Sequence, residues 1–166
     1  MRVRTAVQGD ERELARIVHA AWSWESSVFP RPPLDAPVFT EPVLPENVLV
    51  AVEDAQPLGF AKLVPSSLAN PRIGSAAAHV QMIYGCSVAP QHQGRGVGTA
   101  LLRAIRRESV ARGARRVTLK VLGSNPRAQA LYRRHGYQVE GTLRGEFFLQ
   151  GKYVDDVLMA LDLDTA

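Results

Sequence analysis

Hydrophobic and polar positions change period several times along the 166 residues, and each change marks a predicted element. "RVRTAV" (2–7) alternates and predicts a first strand. In "ERELARIVHAAW", Leu14, Ile17, Val18 and Ala21 recur every three or four residues, which predicts a helix with Asp10 as its N-cap. "NVLVAVED" and "PLGFAKLVPSS" read as two strands around a turn at "EDAQP". "PRIGS" is a second turn, and "AHVQMIYGCSVAP" a third apolar strand stopped by Pro90. "GVGTALLRAIRRESVARG" returns to helical spacing, with Val97, Leu101, Leu102 and Ile105 on one face and Gly113 at its end. "RRVTLKVL" is a strand. "NPRAQALYRRHG" is a helix capped by Asn125, with Pro126 at its first position and Gly136 as its stop. "YQVEGTLRGEFFLQ" and "KYVDDVLMALDL" close the chain as a hairpin around Gly151. The order β-α-β-β-β-α-β-α-β-β predicts an α/β fold, a mixed sheet with helices on its faces, and residues 1–166 are expected to form a single domain.

One stretch obeys neither period. Residues 22–45, "WSWESSVFPRPPLDAPVFTEPVLP", hold six of the eleven prolines, which rules out a long helix or a central strand. Trp22, Trp24, Phe29 and Phe39 gather there. They either staple the loop to the core or make it one wall of a substrate pocket, as loops on rigid scaffolds often do.

Composition narrows the class. No apolar run reaches the ~18 residues of a membrane span, and "MRVRTAVQGDERELARI" has no signal-like apolar stretch, so a cytoplasmic protein with no membrane partner is expected. Cys86 is the sole cysteine, which excludes an internal disulfide or a cysteine zinc site. His19, His79, His92 and His135 are scattered without ligand spacing, so no metal is expected. Only Lys62, Lys120 and Lys152 are lysines among 20 basic residues, and the formal charge is +4. Arginine suits planar, bidentate grips on phosphate. Arg95, Arg103, Arg106, Arg107, Arg112, Arg115 and Arg116 crowd one region, which reads either as a solvated helix face or as a field for a polyphosphate ligand.

Inside that region, "QHQGRGVG" (91–98) puts glycines at 94, 96 and 98 between a strand and a helix. A helix N-terminus presents unpaired amides and a positive dipole end, and bare glycines let an anion reach them and allow positive φ. A tight turn would use the same residues. The Walker spacing GxxxxGK[ST] is absent. The dinucleotide pattern GxGxxG, started at Gly94, meets Thr99 in place of its third glycine and lacks the later acid. The amides are therefore read as holding a phosphate or pyrophosphate of another kind.

With its flanks, "CSVAPQHQGRGVGTALL" resembles the acetyl-CoA-binding motif of the GNAT superfamily of N-acyltransferases. The pattern [QR]xxGx[GA] is met by Gln93-Gly94-Arg95-Gly96-Val97-Gly98 after Val88-Ala89-Pro90. About thirty residues on, "NPRAQALYRRHGY" is similar to the second signature NxxAxxLYxxxGF, with Tyr137 where phenylalanine is usual. "GKYVDDVLM" resembles the final hairpin of family members that acetylate small molecules or protein N-termini. The resemblance implies a mostly antiparallel mixed sheet and acetyl-CoA as co-substrate. It implies that Gln93, Gly94, Arg95, Gly96, Val97, Gly98 and Thr99 clasp the pyrophosphate. It implies further that the Cys86 and Val88 backbones pair with the pantetheine arm, and that Asn125, Ala128 and Tyr132 contact the cofactor. Tyr132 becomes the general acid for the departing thiolate, while a primary amine attacks directly in a ternary complex.

The attacking amine must be neutral, and candidate bases are Glu25, His79, Tyr84, Glu140, Glu146, Asp155 and Asp156, with no winner among them. Cys86, in an apolar strand with no adjacent histidine, reads as structural rather than nucleophilic. Part of the arginine cluster is free to meet the 3′-phosphate of CoA. Rival readings are a non-catalytic acyl-CoA sensor, against which Tyr132 speaks, and a nucleic-acid-binding module. The latter lacks aromatics interleaved with its basic run. The apolar final hairpin could pair two copies in a homodimer.

Overall fold

The computed structural model describes residues 1–163. In chain order the elements are β1 (Arg2–Thr5), α1 (Glu11–Ala21), β2 (Val48–Glu53), β3 (Gln56–Pro65), α2 (Ser66–Ala69), β4 (Val80–Val88), α3 (Val97–Ala111), β5 (Arg116–Leu122), α4 (Pro126–Arg134), β6 (Gln138–Leu149) and β7 (Lys152–Asp162). They match the order read from the sequence, with one addition. The short α2 and a 3-10 segment over 71–77 occupy the place where only a turn was expected, because neither has an apolar period to announce it.

The sheet runs β1-β2-β3-β4-β5-β7-β6. Every neighbouring pair is antiparallel except β4 and β5. Two helices cover one face: Leu101, Leu102 and Ile105 of α3 and Tyr132 of α4 pack with Leu63, Val117, Leu119 and Met159. On the other face Leu14 and Ile17 of α1 pack with Val50, Phe60 and Val64. Each such side chain removed from water contributes roughly 1.5–3 kcal/mol.

Asp10 is a correction. It stands at the N-cap of α1 but makes no side-chain cap bond. Its carboxylate instead accepts from both terminal Arg4 guanidinium nitrogens, at 2.7 and 2.8 Å, and from the Val7 amide at 2.8 Å. A bidentate ion pair outcompetes a single amide. β6 forms one edge of the sheet and exposes Val139, Leu143 and Phe148, the apolar positions noted in the final hairpin.

The sheet is interrupted where β4 leaves β5. Their pairing covers only Val80–Ile83 against Arg116–Leu119. Beyond it, Lys120, Val121 and Leu122 pair with β7 alone. The cause is legible in the register with β3: Lys62 faces Gly85 and Leu63 faces Ile83, so Tyr84 is an extra residue, a bulge. A bulge bends its strand and sharpens its twist, and the two strands part above it. The Ala89 amide donates to Leu58 O at 2.9 Å, so alternate residues of β4 bond toward β3. By that alternation the main-chain groups of Cys86 and Val88 face the opening.

Candidate active site

The loop that follows β4 is anchored by Ala89, which is buried, and by a 3-10 turn over Pro90–His92. Gly94 and Gly96 then take φ of 77° and 83°, in the left-handed region, and Gly96 is the N-cap of α3. Among the described residues, the N–H groups of Gly94 through Thr99 donate to no acceptor. The dipole of a 15-residue helix adds about half a positive charge at the same point. A Cβ at Gly94 or Gly96 would meet nothing within 4 Å, so the space before the amides is open. That geometry fits a diphosphate.

Gly98 serves a different end from the one its spacing suggested. Its φ is not positive, and a Cβ there would lie 2.9 Å from Leu131 Cδ2. It is glycine because α3 and α4 touch. Gly98→Ala is expected to overpack that contact by about 1–3 kcal/mol, read as a fall of several degrees in Tm.

The neighbouring side chains sort into several roles. Gln93 Nε2 donates to Val88 O at 3.2 Å, and Arg127 Nη1 donates to Gln93 Oε1 at 3.1 Å, which braces the loop. Val88 O retains a second lone pair. Arg95 turns away, reaching Glu53 at 3.2 Å and His92 Nδ1 at 2.8 Å. Asn125 Oδ1 accepts from the Ala128 amide at 3.1 Å, the cap read from the sequence, and this leaves its NH₂ group available. Ala128 and Cys86 pack against the same core as Tyr132.

Tyr132 is buried at 9% exposure and meets Tyr137 edge-on, ring centroids 5.7 Å apart. Burial holds its phenol well above the ordinary range, reinforced by the neighbouring Cys86 and Tyr137. Burial also pushes the Cys86 thiol up to about 12, so it carries no thiolate at neutral pH. Tyr137, the residue that departs from the motif, buries a hydroxyl that has no hydrogen-bond partner among the described residues.

The candidate bases scatter. Glu140 pairs with Arg116. Asp155 Oδ1 accepts the Gly145 amide at 2.8 Å. Asp156 is buried and sits 3.8 Å from Lys120; burial raises its pKa and Glu146 adds to the rise, while Lys120 opposes both. Tyr84 is the exposed bulge residue. His79 precedes β4, and its carbonyl accepts the Arg115 amide. Glu25 lies at the start of the proline-rich loop.

The arginine cluster divides as well. Arg112 is a staple, reaching Glu108, Leu63 O, Gln81 and Glu46 O. Arg116 holds Glu140 and Asp162. Arg103 and Arg106 join Arg134 and His135 around a cavity of about 360 Å³ beside α3 and α4. His135 Nε2 lies 3.4 Å from Thr99 Oγ1, which ties this cavity to the loop. Arg134 was not in the crowded stretch, so only the fold could add it.

The proline-rich loop is stapled by Val38 and Val43, both buried, and by Glu11, which accepts the Val38 and Phe39 amides at 3.2 and 3.1 Å. Trp22 stacks edge-on with Trp24, and Arg31 lies over its ring at 5.2 Å. At its far end the loop contributes Pro42 and Val43 to a hollow of about 100 Å³, completed by Val64, Leu68 and Tyr84. Sequence reading missed this hollow and the bulge beside it, since neither has a local signature. Among the described residues no helix is long and apolar enough to cross a membrane, and no three His, Cys, Asp or Glu side chains gather as metal ligands.

Comparison with known proteins bears on the same elements. A spermidine N(1)-acetyltransferase from Vibrio cholerae is 34% identical over 107 residues, 63% of this chain and 57% of that protein, so the chain spans little more than half of that relative's length. The structure of a GCN5-related N-acetyltransferase from Kribbella flavida superposes with a TM-score of 0.79 at 26% identity, covering 98% of this chain and 97% of the other. That of yncA from Salmonella typhimurium, solved with its cofactor acetyl-CoA, superposes with a TM-score of 0.79 at 20% identity, covering 100% and 95%, and shares the fold. The model of the acetyltransferase (GNAT) family matches residues 14–137, from α1 through the second motif, and the chain belongs to that family.

Proposed function

We propose that the protein is an acetyl-CoA-dependent N-acetyltransferase that acts on a primary amine, of a small molecule or a protein N-terminus, within a ternary complex. The observation that carries this reading is the row of unpaired amides from Gly94 to Thr99, opening beside the parted strands β4 and β5. The amides hold the diphosphate, and Gln93 keeps the loop in shape. Cys86 and Val88 offer main-chain groups to the amides of the pantetheine arm, as a strand edge does. Asn125 offers its NH₂ group, and Ala128 a small surface that lets the arm lie close. Arg103, Arg106 and Arg134 answer the remaining phosphate. Bound coenzyme supplies a thioester as the acetyl donor.

Tyr132, in the core against which Cys86 of β4 packs, keeps its proton on Oη and gives it up as the thiolate departs. As the C–S bond breaks the phenol proton passes to sulfur, and the proton shed by the acylated nitrogen returns to the phenolate, so the thiol leaves neutral. The raised phenol pKa keeps Tyr132 in its donor form until the sulfur takes on charge. The acceptor enters from the opposite face, where the bulge and the small hollow lie. The test is release of free thiol from acetyl-CoA against a panel of amines and peptides. Thiol release that depends on an amine supports the reading; tight binding of the coenzyme with no turnover for any amine would make the protein a sensor.

A further inference from the structure

We infer that the acceptor amine also carries a carboxylate, as an α-amino acid does, and that Lys62 selects it; this rests on the N-acetyltransferase reading. Lys62 lies on β3 between Phe60 and Val64, whose side chains pack on the α1 face. Its register partner on β4 is Gly85. A Cβ at Gly85 would stand 3.9 Å from Lys62 Cδ, so the lysine stem lies over β4 at a residue with no side chain of its own. The next residue back is Tyr84, the bulge at which β4 leaves β5. The lysine stem therefore lies beside the bulge, on the sheet face that also carries Phe60 and Val64.

The Lys62 ammonium has no carboxylate and no hydrogen-bond acceptor among the described residues. It is also partly buried, and burial lowers its pKa from the lysine value. A cation drawn out of water without a partner is costly, and an oxyanion on a ligand would offset that cost. One strand repeat further on, Val64 lines the hollow of about 100 Å³ with Pro42, Val43, Leu68 and Tyr84. Such a hollow has room for roughly three water-sized groups, a short apolar substituent. Carboxylate at Lys62, apolar group in the hollow and amine toward the parted strands together describe an amino acid. A polyamine would instead bring a second cation toward the first, and like charges at close range disfavour it.

The test compares the common α-amino acids with their decarboxylated counterparts (leucine with 3-methylbutylamine, for instance) and with spermidine, following thiol release. The wild-type protein is expected to favour carboxylated members by about tenfold to a hundredfold in kcat/KM, the range of a charge-assisted bond. Lys62→Met is expected to collapse that ratio through acceptor KM, and Lys62→Arg to retain most of it. A wild-type preference for spermidine or for decarboxylated amines, or no turnover of any carboxylated amine, would overturn the inference even if the variants failed to fold. Turnover of uncharged amines with no role for Lys62 would do so while leaving the acetyltransferase reading intact. Failure to bind acetyl-CoA would remove that reading itself.

Discussion

Tyr132→Phe is expected to lower kcat by about 10²–10⁴-fold, the usual worth of a positioned proton donor, while acetyl-CoA affinity stays nearly constant. Only the hydroxyl is lost. The ring that packs edge-on against Tyr137 remains, so the buried contact between α4 and the residue that leads into β6 persists. The direction of the pKa shift shapes the pH profile. Burial raises the phenol above its ordinary value, so the protonated form, the one that donates, is present at all pH values below that raised pKa. Loss of activity would set in only above it. The rise of kcat through neutral pH should therefore reflect deprotonation of the amine, and no alkaline limb near pH ~10, the ordinary tyrosine value, should come from Tyr132. Stopped-flow or steady-state thiol release across pH, beside calorimetry of coenzyme binding, separates the two effects. A variant with wild-type kcat would remove the phenol from the mechanism.

Gly96→Val is expected to abolish most coenzyme affinity, raising Kd at least tenfold. Gly96 sits at φ 83° as the N-cap of α3, and its neighbours carry the unpaired amides. A β-branched residue in the left-handed region is a strained outlier, and escape costs on the order of 1–3 kcal/mol. The loop relieves the strain by turning its peptide planes, which takes the amides out of line with one another. Every 1.4 kcal/mol lost is about tenfold in Kd. The helix behind the loop is held by Leu101, Leu102 and Ile105 in the core, so the fold survives and Tm falls modestly. Calorimetry on the folded variant reads the effect; an unaltered Kd would mean that the ligand is held elsewhere.

Much of this site was legible before the fold was known, for a physical reason. The glycine loop is a local object: a strand, a turn with positive φ at Gly94 and Gly96, and a helix N-terminus all lie within a dozen residues. The α4 cap is local too, with Asn125, Pro126 and Gly136 each at the position its chemistry favours. What escaped was non-local. The bulge at Tyr84 exists only as a mismatch of register between β3 and β4. Gly98 looked like a third phosphate glycine, yet its need comes from Leu131, a residue on another helix. Asp10 has the residue type of a cap, but Arg4 from the preceding strand captures it. Lys62 interrupts an otherwise apolar strand, and that was a signal, although its meaning depends on Gly85 across the ladder.

The central claim is that main-chain nitrogens from Gly94 to Thr99 grip the diphosphate of acetyl-CoA and so fix its acyl end beside Tyr132. A crystal structure of the protein grown with coenzyme tests it most directly. The account predicts the two phosphates within hydrogen-bond distance of those nitrogens and the sulfur next to the Tyr132 hydroxyl. Coenzyme bound at another surface with this loop vacant, or none taken up at saturating concentration, would contradict it.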